Sequence, residues 1–417
     1  MKYGIAKTVL AVAVWFFVGC GDDIAKPQNE AVAGGEVVVD LDGASIRHSL
    51  VEKGLIPPEY DKPVFGYKAY KIPYTTEDEH GIPVQVSGLM VVPTGIPDEM
   101  KAAGLSIVSD DHDTRFGNFE MPTFIAEESS APDGAPVIFT SMMGFVVLQP
   151  DYIGYGDSLD HYHPFLLKRS LANATVDFIE AARHFAQVNG IPLNDQLYLT
   201  GYSEGGYAAL ATLQKIESEG SMQVTMVAPM SGPYDLELIG MGVLSTPELS
   251  VPSFMAYIAY AYALTYDEPI ETIVNESYAL KLDELFDGTR ARPQIDPELT
   301  KKTTGEDGLF VSQFVGDFLT NQENWLRMAL AENEVYKWAP QTPVRLLHCE
   351  GDDVIPYAIS ELAEGTMQQA GAASVALISI EQALGMPDPL GHSACGPYAY
   401  QVAAGIFAQT RKATIGY

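Results

Sequence analysis

The sequence predicts an α/β fold with a mostly parallel central sheet and helices on both of its faces. Short apolar runs typical of buried parallel strands alternate with segments of helical apolar spacing between residues 105 and 230. The alternation returns after residue 339 and ends in a helix that begins at about Ser393. Between these parts, residues 236–338 are helix-like, with no clear strand. The pattern implies a parallel sheet with a helical insertion before its last strands.

The first predicted strands form a hairpin. Residues 65–75 and 82–92 are β-rich, and the polar turn between them runs from Glu77 to Gly81. This arrangement is typical of an antiparallel pair. The later elements are predicted as strands at 105–109, 145–150, 196–200, 224–230, 343–348 and 374–380, and as helices at 170–188 and 204–218.

The insertion is predicted to be a helical cap, and its segment 255–265 is notably apolar. The alternative is a buried structural subdomain with no gating role. The predicted organisation has five parts: a signal peptide (1–19), a tether and lead-in (20–60), the first part of the α/β core (61–235), the cap (236–338) and the second part of the core (339–417).

The N-terminus has the features of an export signal. Lys2 and Lys7 precede an uncharged apolar run, residues 9–18, which is too short to span a bilayer comfortably. A glycine and then Cys20 follow, which resembles a bacterial lipobox, in which the cysteine is lipidated. The sequence therefore predicts an exported lipoprotein anchored to the membrane through Cys20. Ordinary signal cleavage, which would give a secreted protein, stays open as the alternative.

Composition and charge exclude some classes of function. Hydrophobic residues make up 47% of the 417 residues, which is enough for a buried core, and the formal net charge is −31. A chain this acidic repels phosphate backbones, so no nucleic-acid partner is expected. The charge is assigned to a solvated surface and says little about the substrate.

One hexapeptide, Gly201 to Gly206, fits the pattern G-x-S-x-G with Ser203 at its centre. A β-rich run precedes it and a helical run follows it, which is the strand–turn–helix context of a nucleophile elbow. Small residues let the strand and the helix approach closely around a strained turn. The sequence therefore predicts an α/β-hydrolase fold in which Ser203 is the nucleophile.

A serine nucleophile needs a base, and the base needs an acid that orients it. In α/β-hydrolases the chain order is serine, acid, histidine. Asp352 lies in the turn after the predicted strand 343–348 and four residues before a proline; the neighbouring Asp353 stays open as the alternative. Of the eight histidines, His392 alone lies beyond this acid. The predicted triad is Ser203, Asp352 and His392.

Two cysteines flank the predicted acid and base. Cys349 lies three residues before Asp352, and Cys395 lies three residues after His392. If the triad assembles, these cysteines come close together, and an exported chain is in an oxidising compartment. A disulfide is therefore predicted, and two buried free thiols are the alternative.

The predicted oxyanion hole uses two backbone N–H groups. One belongs to Glu204, which follows the nucleophile, and the other to Asp113, in the acidic loop after the strand 105–109. The Asp113 carboxylate could also brace this loop, either by capping or by pairing with Arg115. The crowded acids of the loop cannot converge easily on one ion, and the pair His161 and His163 lacks a third ligand. Neither a metal nor a cofactor is expected.

Six segments together resemble a known family: His112-Asp113-Thr114-x-Phe116-Gly117, residues 144–158 with Pro-Asp-Tyr-x-Gly-x-Gly-x-Ser at their end, His163-Pro164-Phe165, the elbow 201–206, Asp352-x-x-x-Pro356 and Gly391-His392. They span about residues 60–410, and they resemble the secretory lipase family of α/β-hydrolases, which includes fungal lipase A and many bacterial esterases. Many bacterial relatives have His-Gly-Thr where this chain has His-Asp-Thr. The resemblance implies an ester hydrolase with a cap before the acid.

These observations predict a serine carboxylic ester hydrolase, an esterase or a lipase, that acts on a small-molecule or lipid ester through an acyl-enzyme. The apolar cap segment favours an acyl-binding tunnel. One alternative is a serine aminopeptidase of the prolyl-oligopeptidase type, which would usually carry an N-terminal propeller, for which residues 21–100 are far too few. The other is a non-catalytic anchored binding protein, against which the complete triad argues.

Overall fold

The structure is a computed structural model that describes residues 31–32, 34–129 and 134–416. The predicted signal peptide, residues 1–19, and the predicted lipidation site Cys20 lie outside the described residues. No helix within the described ranges is long and apolar enough to cross a membrane.

The described residues contain ten strands, which form one sheet. They are β1 (Ala31–Val32), β2 (Gly35–Leu41), β3 (Gly66–Glu77), β4 (Pro83–Thr94), β5 (Leu105–Asp111), β6 (Val146–Pro150), β7 (Leu193–Tyr202), β8 (Met226–Met230), β9 (Val344–His348) and β10 (Val375–Ser379). Their spatial order is β1-β2-β3-β4-β6-β5-β7-β8-β9-β10.

The sheet is parallel from β6 to its β10 edge and antiparallel from β1 to β4. Strand β4 joins the two parts because it pairs antiparallel with β6. The predicted hairpin is confirmed as β3 and β4, which pair over their full length around the turn at residues 78–82. The register places the carboxyl ends of β5, β7, β8 and β9 at one edge, where α/β proteins bind their ligands.

The described residues also form fifteen α-helices, short 3₁₀ turns and one π-helical turn (Pro136–Ser141). The helices are α1 (Gly43–Glu52), α2 (Asp98–Ala103), α3 (Pro122–Ser129), α4 (Lys168–Val188), α5 (Glu204–Glu219), α6 (Leu236–Leu244), α7 (Pro252–Thr265), α8 (Glu276–Ala279), α9 (Leu282–Leu285), α10 (Arg292–Ile295), α11 (Ser312–Thr320), α12 (Trp325–Glu332), α13 (Tyr357–Gln369), α14 (Ile380–Leu384) and α15 (His392–Ile415).

Helices cover both faces of the sheet, as predicted. On one face, α4, α5 and α13 bury their apolar sides against alternate strand residues such as Leu199 and Leu346. On the other face, α1, α3 and α15 pack against the intervening residues, such as Tyr198 and Leu347. Alternate residues of a strand point to opposite faces, so near-continuous apolar strands are required where both faces are covered.

The helical cap lies between β8 and β9, as the fold class predicts, and contains α6 to α12. Its backbone forms two isolated bridges, Glu248 with Lys302 and Val274 with Phe310, but no named strand. Buried cap residues such as Tyr257 and Phe318 belong to the same apolar core as α4 and α5. The cap is therefore packed continuously on one face of the hydrolase core.

The segment before residue 61 contributes more regular structure than its sequence indicates. Strand β2 pairs antiparallel with β3, with a register shift between Val37 and Val39, and α1 follows it. The Asp42 carboxylate caps α1 by accepting a hydrogen bond of 2.7 Å from the Ser45 amide. Part of the stretch assigned to the lead-in is thus an edge of the sheet.

Candidate active site

Ser203 lies in the sharp turn between β7 and α5, at the carboxyl edge of the sheet. Its backbone has φ 57° and ψ −116°, a conformation that costs a non-glycine residue about 1–3 kcal/mol. The Ser203 amide donates a hydrogen bond of 2.9 Å to the Met230 carbonyl at the end of β8, which helps to hold the turn. The strained turn presents the hydroxyl away from the strand.

The glycines of the hexapeptide permit a close backbone approach. A Cβ atom added at Gly201 or at Gly205 would overlap the carbonyl oxygen of Asp111, at the end of β5. A Cβ at Gly206 would lie 2.5 Å from the Met230 carbonyl oxygen. Side chains at these positions would therefore push α5 away from the strands and displace the serine between them.

Ser203, His392 and Asp352 form one hydrogen-bonded row. Ser203 Oγ lies 3.0 Å from His392 Nε2, and His392 Nδ1 lies 2.7 Å from Asp352 Oδ2. The Asp352 carboxylate can only accept a hydrogen bond, so Nδ1 of the neutral His392 ring carries the hydrogen. Nε2 then has a lone pair that can accept a hydrogen bond from the Ser203 hydroxyl. Ser203 and His392 keep 8% of their surface exposed, whereas the Asp352 side chain is completely buried. The arrangement can pass a proton from the serine to the imidazole.

Four donors surround the Asp352 carboxylate. Oδ1 accepts from the amides of Val354 and Ile355 at 3.0 and 2.8 Å, and Oδ2 faces the rings of His392 and His348 at 2.7 and 3.2 Å. Burial alone would raise the pKa of this carboxyl, but the hydrogen bonds from the two histidines hold its pKa well below the usual range. Asp352 is therefore a fixed anion at any pH near neutrality.

Asp353, the alternative acid, has a different contact. Its Oδ1 accepts a hydrogen bond of 2.9 Å from the backbone amide of His392, not from the imidazole. The two adjacent acids therefore hold one histidine at two points, the ring by Asp352 and the main chain by Asp353. The structure brings Asp352, and not Asp353, to the ring nitrogen.

His348 is a site residue that chain order alone excluded, because it precedes the acid. It ends β9, and its Nε2 lies 3.2 Å from Asp352 Oδ2 and 3.0 Å from the Ile355 carbonyl oxygen. Its Nδ1 lies 2.7 Å from the Ser360 hydroxyl. The available signal was its position, a strand-end histidine four residues before the acid.

The predicted disulfide is confirmed: Cys349 and Cys395 are bonded, with their Cα atoms 6.0 Å apart. Both cysteines are completely buried. The bond joins the turn that carries Asp352 to the first turn of α15, whose first residue is His392. Tyr202 adds a second tie, because its hydroxyl donates a hydrogen bond of 2.6 Å to the His392 carbonyl.

The family model described as secretory lipase matches residues 137–381, which is more than half of the chain. The chain belongs to the secretory lipase family. This secretory lipase is a carboxylic ester hydrolase with an α/β-hydrolase fold.

Several solved structures are similar to this secretory lipase. The rice cell wall degrading esterase LipA from Xanthomonas oryzae is 25% identical with a TM-score of 0.75, over 94% of this chain and 98% of that chain. A putative hydrolase from Legionella pneumophila is 23% identical with a TM-score of 0.77, over 92% and 98%. Lipase A from Candida antarctica is 14% identical with a TM-score of 0.57, over 78% and 73%, and supports the fold alone. No curated protein matches the chain.

The two predicted oxyanion donors, Glu204 and Asp113, lie on parts of this secretory lipase that pack against each other, the start of α5 and the loop after β5. Glu204 is the first residue of α5, so its N–H has no acceptor within the helix. Asp113 follows the end of β5, whose main chain touches Gly205. Neither amide donates to another protein group in the part of the chain that the structure describes. As expected, Asp113 Oδ1 pairs with Arg115 Nε, at 3.1 Å.

The side chain of Glu204 forms a buried pair with His163. Glu204 Oε1 lies 2.8 Å from His163 Nε2, both side chains are at most 2% exposed, and His163 Nδ1 lies 2.9 Å from the Ile153 carbonyl oxygen. Both ring nitrogens of His163 are therefore occupied. Among the described residues, no group of three His, Cys, Asp or Glu side chains is arranged to hold a metal ion.

A cavity of about 490 Å³ opens beside Ser203. Ser203 and Glu204 are part of its lining, together with side chains of the cap, of α13 and of core loops such as residues 353–356. The apolar members include Leu236, Ile239, Phe254, Phe314, Phe318 and Ile359. No Lys or Arg among the described residues lines it. A cavity of this size and lining accepts an apolar group rather than a charged one.

Proposed function

We propose that this ester hydrolase works through a Ser203–His392–Asp352 triad and an acyl-enzyme on Ser203. The observation that carries the proposal is the unbroken row of contacts, 3.0 Å from Ser203 Oγ to His392 Nε2 and 2.7 Å from His392 Nδ1 to Asp352 Oδ2. These distances are within reach for a nucleophile with its base and for a base with its orienting acid.

In the proposed reaction, Ser203 Oγ attacks the ester carbonyl carbon while His392 Nε2 takes the hydroxyl proton. Asp352 stabilises the imidazolium that forms. The imidazolium gives its proton to the leaving alkoxide oxygen, and the acyl group stays on Ser203. A water molecule then attacks the acyl carbon with His392 again as base, and the carboxylic acid leaves.

The oxyanion is proposed to accept hydrogen bonds from the amides of Glu204 and Asp113. Support comes from the free first-turn N–H of α5 and from the packing of the Asp113 loop against the elbow. The N-terminus of α5, which is the positive end of its helix dipole, lies next to Ser203 and would stabilise a negative charge there. Loss of one such donor costs about 10² to 10³ in kcat in a comparable hydrolase.

The acyl group of the ester is proposed to enter the apolar cavity under the cap. Ser203 is part of the cavity lining, which is mainly aliphatic and aromatic and includes acids but no Lys or Arg among the described residues. An uncharged acyl chain gains about 25 cal/mol per Å² of apolar surface that it buries there. We therefore propose that esters of hydrophobic acids are preferred and that residues 236–338 act as the cap that sets this preference.

Removal of the nucleophile tests the triad. Ser203→Ala should abolish hydrolysis of a p-nitrophenyl ester and covalent labelling by a fluorophosphonate, whereas Ser218→Ala, at an exposed position near the end of the helix α5 that follows Ser203, should change neither. Retained hydrolysis and labelling in folded Ser203→Ala would refute the triad. An enzyme that is labelled but cleaves aminoacyl amides faster than esters would favour a peptidase.

We also propose that the protein is exported and carries a lipid on Cys20. The support is the sequence around Cys20 and membership of a family described as secretory. In cells fed an alkyne fatty acid, the wild type should become labelled and stay with the membrane, and Cys20→Ala should lose both properties. Label that persists in Cys20→Ala would contradict lipidation at this residue, and an unlabelled wild type in the medium would favour ordinary secretion.

A further inference from the structure

One oxygen of the buried acid is shared by two imidazoles. Asp352 Oδ2 lies 2.7 Å from His392 Nδ1 and 3.2 Å from His348 Nε2. The side chains of Asp352 and His348 are completely buried, so water does not compete for either contact. The proposed reaction uses the first contact and leaves the second without a role.

The hydrogen on His348 can be placed from its neighbours. Nε2 faces the Asp352 carboxylate and the Ile355 carbonyl oxygen, at 3.2 and 3.0 Å, and both of these groups only accept. Nε2 must therefore carry a hydrogen. Nδ1 lies 2.7 Å from the Ser360 hydroxyl, which can donate to it and so fixes the ring orientation. The edge of Tyr357, 5.4 Å away between ring centres, packs against the same ring.

We propose that His348 is a positioning residue for the base: by donating Nε2–H to Asp352 Oδ2, it holds the acid and draws part of its negative charge away from His392. This inference rests on the proposed triad. A carboxylate oxygen that accepts two hydrogen bonds holds each donor less strongly than one that accepts a single bond, so His348 limits how basic His392 becomes.

His392 and His348 share Asp352 as a partner, and their other contacts are separate. His392 is held through its main chain by Asp353 and the Tyr202 hydroxyl, and its ring faces Ser203, Asp352 and the Tyr202 ring. His348 faces Asp352, Ser360, Tyr357 and the Ile355 carbonyl. A change at His348 that preserves the fold therefore acts on His392 through Asp352.

The direction of the effect follows from the sharing. Without the His348 donor, all of the Asp352 Oδ2 charge faces His392, and the protonated form of the His392 ring is stabilised. The proposed base then needs a higher pH to lose its proton, so the acidic limb of the pH profile of kcat/KM should move to higher pH. For a long and shared hydrogen bond to a charged group, we expect a shift of about 0.5 to 1 pH unit.

The experiment compares His348→Leu with His348→Gln in the full chain. Leu removes the donor, whereas the Gln amide can place an N–H near the position of Nε2. The pH profile of kcat/KM is measured with a p-nitrophenyl ester. We expect its acidic limb to move to higher pH in His348→Leu and to return toward the wild-type position in His348→Gln. A purely structural role would lower kcat or stability without this ordered shift. A limb that stays in place or moves downward in folded His348→Leu would overturn the inference.

A measurement on the unmodified protein covers the case in which His348→Leu does not fold. Nuclear magnetic resonance of ¹⁵N-histidine-labelled enzyme reports which ring nitrogen carries hydrogen. We expect hydrogen on Nε2 of His348 throughout the active pH range, and a spectrum with hydrogen on Nδ1 alone would overturn the inference. His392→Ala, assayed beside it, separates the failures. Wild-type activity in His392→Ala refutes the triad, whereas an inactive His392→Ala with an unmoved limb in His348→Leu refutes the role of His348 alone.

Discussion

The bond between Cys349 and Cys395 should supply a large part of the stability of the acid and base loops. The cysteines are 46 residues apart in the sequence. In the chain-entropy description, closing a loop of this length removes enough freedom from the unfolded chain to stabilise the native state by about 4 kcal/mol. The double variant Cys349→Ala, Cys395→Ala should lose about this free energy of unfolding, plus a smaller amount for the buried sulfur contacts.

Catalysis should be less sensitive than stability to this change. The loops are also held by the Asp352 carboxylate on two backbone amides, by Asp353 on the His392 amide and by Tyr202 on the His392 carbonyl. At low temperature, where the variant stays folded, we expect kcat/KM within about tenfold of the wild type. The reason is that these contacts keep Ser203, His392 and Asp352 in hydrogen-bonding positions.

The assay is urea unfolding at equilibrium, with reduced wild type as the matched control. Reduced wild type keeps both sulfur atoms and loses only the bond, so the difference between it and the double variant isolates the packing loss. Peptide mass spectrometry under non-reducing conditions should find Cys349 linked to Cys395. An unfolding free energy that changes by less than about 1 kcal/mol on reduction would refute the loop-entropy reasoning.

Three further substitutions test separate parts of the site and the fold. Asp352→Asn should lower kcat about 10⁴-fold, whereas Asp353→Asn, which can still accept from the His392 amide, should cost less than tenfold. Gly240→Ala places a methyl 3.1 Å from the Phe318 ring at the cavity and should lower the ratio of long-chain to short-chain ester kcat/KM about tenfold. Gly316→Ala, on the exposed side of α11 and outside the cavity lining, meets nothing within 4 Å and should leave the ratio unchanged. Burial raises the pKa of Asp151 to about 6, so the folded wild type keeps a proton that the unfolded chain has lost. The unfolding free energy of Asp151→Asn minus that of the wild type should therefore rise by about 2 kcal/mol between pH 4 and pH 7 in urea titrations.

The local parts of this fold were predictable because they depend on neighbours in the sequence. The elbow needs only a strand, small residues and a helix in succession, and the structure has β7 and α5 with the glycines at the Asp111 carbonyl. The β3–β4 hairpin likewise follows from two β-rich runs and one polar turn. The strand β2 was not predictable in the same way, because it is an edge strand fixed by pairing with β3 rather than by its own pattern.

Two buried contacts that hold site carboxylates were not indicated by the sequence, and both involve histidine. Chain order selects His392 as the base, and it also discards every earlier histidine as irrelevant. His348 and His163 nevertheless hold carboxylates, the first on Asp352 and the second on Glu204, which is 41 residues away in the sequence. The chain order of serine, acid and histidine indicates which residues would react. It does not indicate which other residues hold their carboxylates in place, because those contacts depend on the packing of β9 and of the loop around His163.

The contacts around Asp352 and His392 lie in the core, whereas the cavity is lined mainly by the cap, so the two parts should affect different properties of the enzyme. Asp352 is held by four donors, and His392 is held by a carboxylate at its ring and by two contacts at its main chain. A disulfide joins the loops that carry them. Such a site has little freedom, and a position fixed within a fraction of an ångström is what proton transfer along the row requires. The cavity, in contrast, is lined mainly by side chains of the cap that make apolar contacts. Substitutions in the cap should therefore change which ester is preferred, whereas substitutions around Asp352 and His392 should change the rate for every ester alike.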